Sequence, residues 1–169
     1  AASFGASGCS GRACAWMHLR QKACGERFHS STLFSVAHGL MHHDRMAAFV
    51  DTHCHLDAPE FGAQAAEVHA PSRAAGVALC VIPAVAAFNF DTVRTLAHRQ
   101  HDAYALGVHP LCTREAGDAD LDRLEAALSA HSADPRLVAV GEIGLDHFVK
   151  DLDDAKQARI FHRQLEIAR

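Results

Sequence analysis

Three groups of side chains in this sequence have the types and spacing that chemistry requires. The first is His53-Cys54-His55, behind the apolar run AAFV (47–50) and followed by Leu56-Asp57. In an extended chain residues i and i+2 point to the same side, so His53 and His55 project together and Cys54 faces away. Two imidazoles side by side form half of a metal site. The competing reading is a surface turn in a chain that holds 14 histidines. The second group is VAVGEIGLD (138–146), in which Glu142 follows a mainly apolar run. A carboxylate at the end of a buried strand needs a cation or a dense hydrogen-bonding set; pairing with an Arg is the plainer alternative. Gly141 and Gly144 are read as permitting close backbone approach around it. Asp146 is either an acid behind the site or the residue that opens the next loop. The third group is LGVHP (106–110), where His109 orients a ligand, contacts a phosphate, or is an ordinary loop histidine. His42, His43, His98, His101, His131, His147 and His162 share no spacing with these groups and read as surface or packing residues.

The elements that would position these groups alternate. Apolar strands are expected at 47–52, 77–85, 104–108 and 137–143, buried on both faces as parallel strands covered by helices are. Helices are expected at 60–75, 88–101, 119–131 and from 153 onward. Pro71 should break, kink or restart the first and Gly76 should end it. Phe90, Val93, Leu96 and Ala97 stripe the second helix. Leu121, Leu124 and Leu128 stripe the third, which Asp118 would cap. Ala158, Phe161, Leu165 and Ala168 are read as one face of the last. Strand starts recur about every 30 residues, the size of one βα unit, which defines an α/β protein. The periodicity does not separate an open doubly wound sheet from a barrel. His53, His55, Glu142 and His109 all fall at C-terminal strand ends, where α/β barrels place their chemistry. Two histidines and a bridging carboxylate suit Zn, Mn or Mg with an activated water.

Composition excludes several classes. The 169 residues are 49% hydrophobic and 21% charged, with a net charge of −4, so no broad basic surface for non-specific nucleic-acid binding exists. No apolar run approaches the ~18 residues of a membrane span. Neither G-x-G-x-x-G nor G-x-x-x-x-G-K-[ST] occurs, which removes the dinucleotide and P-loop signatures. Residues 1–45 differ from the rest: they carry five basic and two acidic side chains, against 11 and 18 in 46–169. This head is rich in Gly and Ser, and Cys9, Cys14 and Cys24 lie in it near His18 and His29. It reads as an unstructured or non-native extension ahead of Met46; an organelle presequence and a small metal-binding piece are the alternatives. Cys54, Cys80 and Cys112 read as reduced core residues, which makes a cytoplasmic or organelle-matrix setting the default.

FVDTHCHLD (49–57), LGVHP (106–110) and VAVGEIGLD (138–146) together resemble the three N-terminal signatures of the TatD-like metal-dependent hydrolases. Gln157, Phe161 and QLEIA (164–168) resemble that family's helix after the GEIGLD strand. The resemblance covers 46–169. It implies a TIM-type (β/α)8 barrel and a two-metal phosphodiesterase site, typically a deoxyribonuclease of 3′-exonuclease character. His53 and His55 would then be ligands of one of two divalent ions (Mg, Mn or Zn), Glu142 would bridge both, and His109 would lie close by. Glu142 and His109 are the catalytic candidates, and DNA, single-stranded or at its 3′ ends, is the partner. The family's two later histidine ligands and its catalytic aspartate in an E-T-D-x-P motif do not occur here, so 46–169 corresponds to the first four βα units of eight, a half-barrel.

Two other functions compete. An amidohydrolase-type barrel acting on C–N or ester bonds also begins with H-x-H, but usually bridges its metals with a carboxylated lysine on strand four, and 137–143 contains no Lys. A catalytically incomplete fragment is the other, since half of the expected ligands are absent and open strand edges tend to pair with another chain.

Overall fold

Four short runs of Val, Leu, Ile, Ala and Phe are extended, and each is followed by a helix. In the computed structural model, which describes residues 48–169, the elements are β1 (Phe49–Asp51), α1 (Ala65–Ala74), β2 (Val77–Pro83), α2 (Phe90–Gln100), β3 (Ala103–Leu106), α3 (Asp118–Ala130), β4 (Leu137–Val140) and α4 (Asp154–Ile167). Single 3-10 turns lie at Gly62–Gln64, Ala87–Asn89 and Pro110–Cys112. The expectations for residues 1–45 lie outside the described residues. All three strand pairings are parallel, in the order β1-β2-β3-β4. Spatial order therefore follows chain order, and the sheet lacks the reversal that defines the switch point of a doubly wound fold.

The core forms where α2 covers β2 and β3. Ile82, Ala84, Tyr104 and Leu106 from the sheet side meet Phe90, Val93 and Ala97 of α2, with Leu56 and Leu124 completing the cluster. The apolar stripe expected on α2 is thus the buried one, with Leu96 at its margin. Leu121 and Leu124 are likewise the buried residues of α3. Gly76, at φ 97°, follows the end of α1 in the left-handed region that favours glycine. No helix among the described residues is long and apolar enough to cross a membrane.

Five expectations require correction. Strands one and four are not buried on both faces: Phe49 is 61% exposed, Val50 53% and Val138 51%. Helices α1 and α2 lie over β2 and β3, so the edge strands have one hydrogen-bonding neighbour each. Strand four ends at Val140, which leaves Glu142 in the loop beyond it. Pro71 lies inside α1 without ending it. Gly117, not Asp118, is the N-cap of α3, and its N–H donates to the carboxylate of Asp120 at 2.9 Å. The face of α4 is the largest departure. Ala158, Leu165 and Ala168 are exposed and Phe161 is half-buried, whereas Gln157, Ile160 and Gln164 are buried. An apolar stripe predicts the inner face only when the inner surface is apolar, and here α4 packs over main-chain groups.

One buried ionic network ties the helix layer to the sheet. Asp102, fully buried after α2, accepts from Arg73 of α1 at 2.5 Å and from the Cys80 N–H of β2 at 2.8 Å, and faces His69 Nε2 at 2.7 Å. Arg73 also donates to the carbonyls of Val77 and Gln100. Removing one partner of a buried pair strands the others. Asp102→Ala should therefore lower the unfolding free energy by about 3 kcal/mol, read as a fall in urea midpoint at unchanged slope; an unchanged midpoint would show that the network is energetically idle.

Candidate metal centre

The H-x-H stretch lies just past the end of β1. The Cys54 N–H still donates to the Val81 carbonyl at 3.0 Å, so pairing with β2 continues past the regular strand. That pairing, with the Asp51 carboxylate accepting from the His53 N–H at 3.1 Å, fixes the backbone carrying the two imidazoles. As their spacing predicts, the rings converge: their Nε2 atoms stand 3.1 Å apart and their planes cross at 74°. Cys54 packs against the core. Burial, followed by the nearby Asp51 charge, pushes its thiol up to about 12, and burial pushes Cys80 up to about 11. Both are inert packing thiols.

Glu142 arrives from the opposite edge of the sheet, just past the end of β4. The Gly141 N–H donates to the Leu106 carbonyl of β3, while the next N–H, that of Glu142, reaches the Ala84 carbonyl beyond β2. The chain crosses the end of β3 here, and Gly107 makes the crossing possible. A Cβ on Gly107 would lie 2.7 Å from the Gly141 carbonyl carbon and 2.9 Å from the Glu142 carbonyl oxygen. The close approach assigned to Gly141 and Gly144 therefore belongs to Gly107. A Cβ at Gly141 would meet only Ala105 at 3.8 Å, and Gly144 is required by its φ of 148° instead.

The Glu142 carboxylate collects three imidazoles. Its Oε2 lies 3.3 Å from both His53 Nε2 and His55 Nε2, and its Oε1 lies 3.1 Å from His109 Nε2. His109 is positioned by its own N–H, which donates to the Val85 carbonyl, and its Nδ1 accepts from the Leu111 N–H at 3.0 Å. With Nδ1 accepting, the ring proton resides on Nε2 and is donated to Glu142. Burial alone would raise the pKa of Glu142; hydrogen bonds from His109, His53 and His55 outweigh it and hold the carboxyl well below its usual range. Burial draws His55 down, but the carboxylates of Asp57 and Glu142 prevail and raise it to about 9.

These distances can be compared with what an ion requires. Two ligand atoms about 2.0–2.1 Å from a tetrahedral ion stand about 3.3 Å apart. The triangle His53 Nε2, His55 Nε2 and Glu142 Oε2 has edges of 3.1, 3.3 and 3.3 Å, so the three atoms have the dimensions of one face of such a coordination shell. A second group of ligand-type residues, His69, Cys80 and Asp102, is fully buried. Its His69–Asp102 edge of 2.7 Å is too short for two ligands of one ion, and Arg73 already neutralises the aspartate. It is the structural network described above.

The sequence did not single out several residues that set this geometry. Asp57, read only as part of the first signature, has Oδ1 3.7 Å from His55 Nδ1, on the ring edge away from Glu142. Its Oδ2 accepts from buried Asn89 at 2.8 Å, and Asn89 Oδ1 in turn accepts from the Val85 and Ala86 N–H groups. Asn89 has no periodic or motif signal, and Gly107 is visible only as a glycine before His109. Asp146 is settled as the residue that opens the next turn, its carboxylate accepting from the Phe148 and Val149 N–H groups. His98, His147 and His162 are exposed and paired with Asp134, Asp154 and Glu166, away from the site.

With this geometry established, the comparisons decide the family. The family model described as TatD related DNase matches residues 50–169. The chain belongs to the TatD-related DNase family. It is 38% identical over 122 residues to the uncharacterized metal-dependent hydrolase YjjV of Escherichia coli strain K12, covering 72% of this chain and 46% of that relative. It is 30% identical over 130 residues to the deoxyribonuclease TATDN3 of Homo sapiens, covering 71% and 47%. The crystal structure of the E. coli TatD homologue YJJV superposes with a TM-score of 0.63 at 40% identity, covering 71% of this chain and 46% of that one. The chain thus spans about half the length of the TatD relatives it matches.

Two outcomes follow for this TatD-family site. Gly107→Ala must displace the Glu142 backbone and should cost about 2 kcal/mol in unfolding free energy, whereas Gly141→Ala should cost less than about half of that; equal melting temperatures for the two variants would contradict the crossing geometry. A divalent ion must displace the proton that His55 holds up to about pH 9. Zn2+ affinity should therefore rise about tenfold per pH unit between pH 6 and 8, and a flat calorimetric profile would rule this out.

Proposed function

We propose that this chain carries the N-terminal half of a TIM-type (β/α)8 barrel enzyme, a metal-dependent hydrolase that cleaves phosphodiester bonds of DNA as a 3′-exonuclease. Residues 1–45 form an extension outside that unit. Family membership, the sequential parallel order of the four strands and the exposed outer edges of β1 and β4 support the barrel reading. The observation that carries the function is the triangle of His53 Nε2, His55 Nε2 and Glu142 Oε2. His53 and His55 would hold one divalent ion, and Glu142 would be the carboxylate shared with a second. Ions bound there supply water activation near neutral pH and charge neutralisation at phosphoryl oxygens.

The protein's own groups prepare the site. His109 donates its Nε2 proton to Glu142 Oε1, which fixes the rotation of the carboxylate. Asp57 faces the Nδ1 edge of His55 and favours the tautomer whose Nε2 lone pair is free. His53, half-exposed, forms the open rim through which a DNA end would approach. With a net charge of −4 the chain relies on bound cations to attract phosphates. The free thiols of Cys54 and Cys80 support a reducing, cytoplasmic setting.

The test is nucleotide release from the 3′ end of single-stranded DNA with Mg2+, Mn2+ or Zn2+, by the 169-residue chain and by a longer chain carrying four further βα units. Release should depend on the ion and fall by at least about 100-fold in His53→Ala and Glu142→Ala, more than loss of an outer partner costs. Activity in the longer chain alone places the missing ligands beyond these four units. Metal-independent release, or none from either chain, removes the nuclease reading.

A further inference from the structure

The buried face of α4 carries two glutamines where apolar residues would be the ordinary choice. Gln157 and Gln164 are 0% and 1% exposed. Seven residues separate them, two helical turns, so they lie on the same face about 10 Å apart. Between them is Ile160, also fully buried. An amide placed in a core costs free energy unless both its donor and its acceptor are used. Both amides are used in the same way. Gln164 Oε1 accepts from the Val108 N–H at 2.7 Å, and its Nε2 donates to the Val108 carbonyl at 3.1 Å. Gln157 Oε1 accepts from the Asp146 N–H, and its Nε2 donates to the Asp146 carbonyl at 3.2 Å. Each side chain imitates a neighbouring strand for one residue, where the regular ladder has already ended.

The two residues held are the ones adjoining the site. Val108 directly precedes His109, whose Nε2 meets Glu142. Val108 also follows Gly107, the surface over which the Glu142 backbone crosses. Asp146 closes the loop that leaves β4 through Glu142. We propose that Gln157 and Gln164 are positioning residues: as a pair of backbone clamps on α4 they set the placement of His109 and Glu142 relative to each other, and through it the affinity of the His53–His55–Glu142 triangle for a divalent ion. The affinity part rests on the metal-centre reading above; the placement of His109 on Glu142 does not.

The experiment separates the two. Imidazole 1H–15N correlation spectra of the metal-free chain report which nitrogen of His109 carries its proton and whether it is hydrogen-bonded. Gln164→Met, which keeps length and removes the amide, should shift and broaden the His109 Nε2 signal while leaving that of His98, paired with Asp134 at 2.8 Å, unmoved. Gln157→Met should do the same more weakly, and provides the answer if Gln164→Met does not fold. Ile160→Val loosens the same helix face without touching an amide; it should lower the melting temperature and leave the His109 signal alone. Calorimetric titration with Zn2+ should show affinity lowered ten- to a hundredfold in the glutamine variants and unchanged in Ile160→Val. An unmoved His109 signal in both glutamine variants, or a shift of equal size in Ile160→Val, overturns the clamp. A parent chain that binds no Zn2+ overturns the affinity part and the metal-centre reading, and leaves the spectra to decide the placement.

Discussion

The carboxylate of Glu142 is the point at which three separate stretches of chain must agree. It accepts from His109 on one oxygen and faces His53 and His55 with the other, and none of these residues is near it in sequence. A carboxylate half-removed from water is tolerable only in such company. The agreement is imposed by the parallel sheet: β1, β2, β3 and β4 end on one side, so the residues just past their ends are neighbours whatever their separation along the chain. The price is geometric precision at the crossing over β3, where the Glu142 backbone is admitted because residue 107 has no side chain.

The two clusters of ligand-type residues show how distance separates chemistry from structure. Both join histidine and carboxylate, and both are partly or wholly removed from solvent. In the Asp102 cluster the carboxylate accepts from Arg73 and the Cys80 N–H on one oxygen and faces His69 with the other, and the contacts have closed to ion-pair length. In the Glu142 cluster the ring nitrogens stand off from the carboxylate by more than 3 Å and leave room between them. Residue type alone would rank the two alike.

Much of this could be read from the sequence, for reasons that also explain the misses. The period-two logic that put His53 and His55 side by side held even though the regular strand stops at Asp51, because Cys54 remains paired to β2. The stripe on α2 was legible because it meets an apolar surface. The stripe assigned to α4 was not, because that helix meets buried main-chain groups and satisfies them with amides. Burial of β1 and β4 was overstated since an apolar strand reads the same at an edge as in the middle. Asn89, Gly107 and Asp102 act through contacts 20 or more residues away, and a single sequence has no local signal for such partners.

The reach of α4 has a consequence for how the molecule assembles. Every strand pairs with the one made just before it, so the sheet can form in step with synthesis, each unit docking on the last. The bonds from Gln164 to Val108 span 56 residues, so they close only after α4 has been made. The histidines and the glutamate are therefore all present in the nascent chain before the loops bearing His109 and Glu142 are fixed. Helix α4 converts a formed sheet with loose ends into one with a defined centre, so the centre is fixed later than the four strands that carry it.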